Sequence, residues 1–285
     1  MHIPAAGTRG GVITAWNPDV LHLTSYAVHH HALTVHLRLL ASNSDIHITN
    51  VYAPSDHRDT PAFLDILLEI GASISGPWLI VGDFNLIRDA KDKNTGTVNQ
   101  LLCNQFNDVI HNLSLAELPL LDCLYTWSNK RRSPILARLD RAFTNATFNN
   151  VFPSALLTSS VRITSDHKPI IATMSTTVPK SNSFRFENAW LKKPGFLPSI
   201  LPAWRCLSGS TVAAGRLASC LKSTRSAVKV WARRNRAPPQ ILPNCKFIIL
   251  MFDFLEEERW LSDAEMQVRE LCRNRLQQHI KEMAA

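Results

Sequence analysis

The run Trp78-Leu79-Ile80-Val81 is fully apolar and stops at Gly82-Asp83-Phe84-Asn85. Such a run predicts a strand buried on both faces. Its end presents a carboxylate and an amide two residues apart, on one side of the chain. Gly, Asp and Asn also suit an ordinary turn. Ser165-Asp166-His167 precedes a second apolar run, Ile170 to Met174. An adjacent Asp and His can divide labour, the carboxylate holding a divalent cation while the imidazole moves protons. A solvated turn with a surface histidine is the plainer alternative. In Arg138-Leu139-Asp140-Arg141, strand alternation places Asp140 with Arg138 and opposite Leu139 and Arg141. A buried carboxylate needs a partner. Either a neighbouring arginine supplies it, or Asp140 fixes the second ring nitrogen of His167. Finally, Tyr52 in Asn50-Val51-Tyr52-Ala53-Pro54 brings a phenol to a strand end, where tyrosine also serves as packing.

The elements that must position these groups alternate between strands and helices. Gly10 to Trp16 reads as a short strand. Ala32–Leu40 and Ile46–Tyr52 alternate apolar and polar residues, predicting a hairpin with Ser42-Asn43-Ser44-Asp45 as its turn. Thr60-Pro61 opens a helix that runs to Gly71, and Leu101–Leu113 predicts a second. Tyr125–Ser128 and Ile135–Phe143 form a further strand pair across the basic turn Lys130-Arg131-Arg132-Ser133. This mixture, without strict βαβ alternation, is an α+β pattern. After a polar linker at 176–183 the chain changes character. Ala213–Arg236 and Lys246–Met283 read as helices parted by prolines, with a capping box at Ser262 and Glu265.

Charge divides the chain at the same place. Residues 179–285 hold 18 Lys and Arg against 9 Asp and Glu, a net +9, while residues 1–178 come to −1. Ten of the 11 histidines lie in the first part. The reading is a domain over 1–175, a linker over 176–183 and a basic helical region over 184–285. A basic region suits nucleic acid; it equally suits helices whose charges are merely solvated. The 6 cysteines show no metal-binding spacing and read as reduced, packed thiols. No apolar run can span a bilayer and no secretory signal follows Met1. The expectation is a soluble, intracellular protein with no membrane partner.

Taken together and in order, these segments resemble the endonuclease/exonuclease/phosphatase superfamily. The likeness is closest to the endonuclease domain of plant LINE-type, non-LTR retrotransposons. It rests on Arg9-Gly10-Gly11, Asn50 to Pro54, Gly82 to Asn85, Tyr125-Thr126-Trp127-Ser128-Asn129, Ala137 to Phe143 and Ser165-Asp166-His167. Phe184 to Trp190 resembles the segment such elements carry before a reverse transcriptase.

The resemblance implies a four-layer α/β sandwich, two mixed sheets flanked by helices, with the site at one end of the strands and a C-terminal helical segment beyond. It implies a nuclear endonuclease that nicks DNA with Mg²⁺ (or Mn²⁺). Asp83 would orient or deprotonate the attacking water, and Asn85 would hold the scissile phosphate. Asp166 would bind the metal. His167, oriented by Asp140, would stabilise or protonate phosphate oxygens, and Tyr52 would assist near the leaving group. Lys130, Arg131 and Arg132 would contact backbone phosphates, unless they form only a solvated turn. Alternative readings are an inactive fragment that binds DNA, RNA or a partner through its basic half, and a phosphatase or lipid phosphodiesterase of the same superfamily. Two departures stand out: Ser55 replaces an Asn common after the Tyr-x-Pro, and Met1 lies too near Gly10 to leave room for two opening strands bearing an Asn and a metal-binding Glu. On that basis the expectation is weak Mg²⁺ affinity, no measurable nicking, marginal solubility and an open apolar sheet edge beside residues 78–81.

Overall fold

Three consecutive strands set the architecture through their alternation. The computed structural model describes residues 1–5, 11–174, 190–191, 193–205, 212–234 and 241–284. Arg9-Gly10, the linker at 176–183, residues 184–189 and Pro238-Pro239 lie outside the described residues. β1 (His2–Ile3) and β2 (Val12–Ile13) pair as a small antiparallel ribbon, so the strand expected from Gly10 to Trp16 is short. β3 (Leu21–His29), β4 (Ala32–Leu39) and β5 (Ser44–Tyr52) form an antiparallel meander. The helix α1 (Thr60–Ser73), with Pro61 in its first turn, then returns the chain so that β6 (Trp78–Asp83) runs parallel to β5.

Next come α2 (Gln100–Asn112), β7 (Ala116–Glu117), β8 (Trp127–Ser128), β9 (Leu136–Ala137) and β10 (Asp140–Thr144). They are followed by α3 (Ala146–Val151), β11 (Leu156–Ser159) and β12 (Ile170–Thr173). The main sheet has six strands in the order β3-β4-β5-β6-β10-β7, with small pairs β8-β9 and β11-β12 beside it. This is the α+β class read from the sequence. On one face α1 and α2 lay Phe63, Leu67, Phe106 and Ile110 against Ile80, Phe84 and Phe143. On the other, Phe148, Phe152 and Leu157 cover Val35, Leu37, Leu79 and Ala142. Neighbours in β6 and β10 thus bury on opposite faces, as a central strand requires.

Two expectations are corrected here. β6 is flanked by β5 and β10, so no open edge lies beside residues 78–81; the sheet ends at β3 and at the two-residue β7. The strand expected over 135–143 is two strands. Leu136–Ala137 pairs with β8, whereas Asp140–Thr144 joins the main sheet against β6.

The chain groups into two compact units, Met1–Thr177 with Phe252–Ser262, and Val178–Met251 with Asp263–Ala285. The helices are α4 (Phe196–Trp204), α5 (Ala213–Arg234), α6 (Ile241–Glu258) and α7 (Asp263–Ala284). The helical stretch read over 246–283 is two helices parted at 259–262, where the Ser262 capping box was expected. In the second unit Phe196 and Ile200 of α4 pack on Val228 and Trp231 of α5. No helix among the described residues is long and apolar enough to cross a membrane. Cys103, Cys123, Cys220, Cys245 and Cys272 are free thiols.

Two glycines test the packing. Gly82 has φ +144°, and a Cβ there would collide with the backbone oxygen of Val51 on the paired strand. Gly71 in α1 would meet the far end of the Leu113 side chain, which can move, and the Trp78 ring at 3.3 Å, with no backbone atom in the way. Gly82→Ala is expected to cost more than about 3 kcal/mol, and Gly71→Ala less than about 1 kcal/mol. Urea unfolding of the two variants measures the contrast; equal losses would contradict this packing.

Candidate active site

Strand register gathers the first three groups. Tyr52 stands beside Asp83 across the parallel pair β5–β6, and Asp140 stands opposite Asp83 across β6–β10. A phenol and two carboxylates therefore share one row at one end of three neighbouring strands. Like charges directly opposed in a sheet repel. His167, entering from the loop before β12, lies between the two carboxylates. Its Nδ1 is 2.8 Å from Asp140 Oδ2, and its Nε2 is 3.7 Å from Asp83 Oδ2. A carboxylate only accepts, so Nδ1 carries the proton that Asp140 receives in this bond.

The surrounding chain holds these groups still. Asn85 sits just past β6 at φ +49°, a left-handed conformation that Asn tolerates. Its backbone N–H donates to Asp83 Oδ1 at 2.9 Å. Its side-chain amide donates to Ala53 O at 2.9 Å and to Asp83 Oδ2 at 3.2 Å. The buried Thr126 hydroxyl accepts the N–H groups of Leu139 (3.1 Å) and Asp140 (3.0 Å). The Thr126 backbone oxygen accepts from Lys168 N at 2.6 Å. Thr126 thus ties the strand of Asp140 to the loop of His167. Next to it, the Trp127 indole N–H donates to Asp166 Oδ2 at 2.9 Å.

Asp140 does not pair with an arginine. Arg138 and Arg141 both turn to Glu117, at 3.1 and 2.6 Å, and Arg141 also binds Asp92. The expected sharing of a face by Arg138 and Asp140 fails because β10 begins only at Asp140, so pleat alternation does not extend back to residue 138.

Burial and Asp140's charge push the Asp83 carboxyl up to about 6. At His167 burial opposes the imidazolium, but the bond to Asp140 and the charges of Asp140, Asp83 and Asp166 outweigh it and raise the pKa. At Asp166 burial acts upward and is outweighed by the Trp127 indole N–H and its own backbone amide, leaving it below the usual carboxylate value. Asp83, Asp140 and His167 each offer a ligand atom within 4.8 Å of the others, the group among the described residues able to hold a metal ion. Asp166 stands outside that trio. An open cleft of about 480 Å³ is lined by Tyr52, Asp83, Asn85, Trp127, Asp166 and His167.

Lys130, Arg131 and Arg132 are exposed on the β8–β9 turn. Lys130 spends its ammonium on Thr164 O at 2.9 Å. Sequence reasoning gave no role to Thr126 or Trp127. The hydroxyl of a single threonine has no periodic signature; Trp127 was visible only as part of a motif.

The profile described as the endonuclease/exonuclease/phosphatase family matches residues 2–167. The "Transposon TX1 uncharacterized 149 kDa protein" of Xenopus laevis is 26% identical over 213 residues, which is 70% of this chain and 16% of that protein. This chain therefore spans a small part of that relative. Among solved structures, the endonuclease domain of TRAS1, a telomere-specific non-LTR retrotransposon, is 16% identical with a TM-score of 0.41, covering 52% of this chain and 65% of that one. D. rerio TDP2 complexed with single-strand DNA product is 16% identical with a TM-score of 0.40, covering 55% and 70%.

The raised Asp83 pKa has a stability consequence. An acid whose folded pKa exceeds its unfolded value holds its proton more tightly when folded, so its ionisation destabilises the fold as pH rises through the interval, here from 3.8 to about 6. His167 acts in the same direction of pH: stability from its imidazolium is present below the unfolded value of 6.5 and is lost as pH rises through the raised one. Without divalent cation, Asp83→Asn is expected to stabilise by about 1–2 kcal/mol at pH 8 and hardly at all at pH 4. Urea unfolding at the two pH values in chelator measures it. A variant less stable than wild type at pH 8 would contradict the raised pKa.

Proposed function

This chain belongs to the endonuclease/exonuclease/phosphatase family, and from that premise we propose that it is a metal-dependent DNA endonuclease of a non-LTR retrotransposon, nicking target DNA. The observation that carries the proposal is the convergence of Asp83, Asp140 and His167 at one strand end. Phosphodiester hydrolysis needs a base for the attacking water, neutralisation of charge on the phosphoryl oxygens and a proton near the leaving group. With a pKa near 6, Asp83 suits a base working close to neutral pH. It orients the water and takes its proton. His167, kept protonated and aimed by Asp140, directs Nε2 at a phosphoryl oxygen. Asn85 turns the amide hydrogen that reaches Asp83 Oδ2 to the scissile phosphate, keeping its bond to Ala53 O, and Tyr52 assists beside the leaving group. Lys130, Arg131 and Arg132 meet backbone phosphates without reading sequence.

The donor set fits a hard divalent cation. Asp83 and Asp166 line the cleft beside His167, and Asp83, Asp140 and His167 each place a ligand atom within 4.8 Å of the others. Asp166, which lines the same cleft, would hold Mg²⁺ or Mn²⁺. Such a cation, when bound, supplies charge neutralisation at the phosphate. The nuclear location goes with DNA as substrate.

A second reading draws on the basic half. α5 has no acidic residue along Ala213–Arg234 yet carries Arg216, Lys222, Arg225, Lys229, Arg233 and Arg234. A non-catalytic role in holding DNA or RNA would use this region and lose affinity steeply with salt.

Supercoiled plasmid with Mg²⁺ or Mn²⁺ separates the two. On the endonuclease reading the wild-type chain nicks and chelator stops it, against the expectation drawn from the two missing opening strands. Asp140→Asn should lower kcat by about 10²–10⁴-fold with DNA affinity unchanged, because a misaligned imidazole fails in the transition state. Salt-sensitive binding without any nicking would favour the second reading; a wild-type rate in Asp140→Asn would remove the dyad from the chemistry.

A further inference from the structure

Three carboxylates of one short helical stretch hold the loop of Asp166 and His167. Asp253, Glu256 and Glu257 in α6 stand at i, i+3 and i+4, on one helix face. Arg162, 3% exposed, donates from Nη2 to Asp253 Oδ1 and to Glu256 Oε2, each at 3.2 Å. Its Nη1 reaches the backbone oxygen of Asp166 at 3.4 Å. Lys168, 6% exposed, donates from Nζ to Glu257 Oε1 at 3.2 Å. Glu257 also accepts the N–H groups of Leu124 at 3.0 Å and Tyr125 at 3.5 Å.

Asp166 and His167 are therefore flanked by two buried cations, Arg162 and Lys168, both with counter-ions on this stretch. Tyr125 leads directly into Thr126, whose hydroxyl holds the N–H of Asp140. Both halves of the Asp140–His167 pair thus lead back to Glu257. Two buried cations stripped of their carboxylates would turn toward water, because uncompensated buried charge is strongly destabilising. The loop would move with them, and a shift of about 1 Å at a reacting group costs on the order of 10²-fold in rate. The family match ends at residue 167, well before this stretch.

We propose that Asp253, Glu256 and Glu257 are positioning residues for the Asp140–His167 dyad. The segment Phe252–Ser262 is then a working part of the site that the first unit needs. The proposal rests on the endonuclease reading for its effect on rate, though not for its effect on the dyad.

The test compares Glu257→Ala and Glu257→Gln with the exposed Glu258→Gln in the full chain, using two readouts. The first is the far-downfield proton resonance of His167 Nδ1–H, assigned by its loss in Asp140→Asn, which requires no activity. It is expected to broaden or vanish in both Glu257 variants, with circular dichroism unchanged, and to persist in Glu258→Gln. The second is plasmid nicking, where kcat should fall about 10- to 100-fold while KM stays within about twofold. A wild-type resonance in folded Glu257→Ala, or a change confined to KM, would overturn the proposal. Should Glu257→Ala fail to fold, Glu257→Gln decides alone, since it keeps the side chain's length and one acceptor oxygen while losing the ion pair with Lys168 and one of the two amide bonds; an unchanged resonance there overturns the proposal. If the wild type nicks nothing, the endonuclease reading fails while the resonance still settles the positioning.

Discussion

Asp83 and Asp140 face each other across β6 and β10, where a sheet ordinarily seats apolar or oppositely charged partners. The rest of the unit is arranged so that this repulsion can be carried. Beneath the pair, Phe84 meets Phe143 with ring centroids 5.1 Å apart and Phe106 at 5.4 Å. Those rings anchor the strands immediately beside the carboxylates, and each fully buried aromatic contributes about 2–3 kcal/mol. Above the pair, His167 links the two charges at an angle the loops must maintain. A site of this kind is costly to the fold and useful to the chemistry for the same reason.

The pleat supplies the second constraint. Arg141, 1% exposed, follows Asp140 directly and points to the other face of β10, where Asp92 and Glu117 receive it. A slip of one residue would bring the guanidinium to the cleft and drive the carboxylate into that buried network. The ion cluster on the far side therefore fixes the side from which Asp140 is presented. Arg88 and Arg138 reinforce it by binding Glu117 as well.

Much of this was legible because it is local. Alternation exposed β4 and β5, Thr60-Pro61 marked α1, and the uniform apolar run marked β6. β3 escaped notice because its register shifts between Leu23 and Ser25, breaking the period-two pattern at its middle. The division between β9 and β10 was hidden because an apolar stretch does not announce which sheet it joins. The docking of residues 252–262 had no signal at all. Carboxylates at i, i+3 and i+4 look like a solvated helix face, and their partners Arg162 and Lys168 are remote in sequence. Within the candidate site, the residue types were readable from motif order, whereas the inward roles of Thr126 and Trp127 depended on pairings only the fold creates.

The discontinuity of the first unit has a temporal side. Residues 178–251 must leave the ribosome before Phe252–Ser262 is available to complete the unit. At synthesis rates of about 5–20 residues per second, the sheet, Asp83, Asp140 and His167 wait several seconds in an unfinished state. Arg162 and Lys168 spend that interval without the carboxylates that bury them. A nascent chain thus carries every group of the cleft while lacking the stretch that holds the His167 loop, and its maturation is gated by its own elongation.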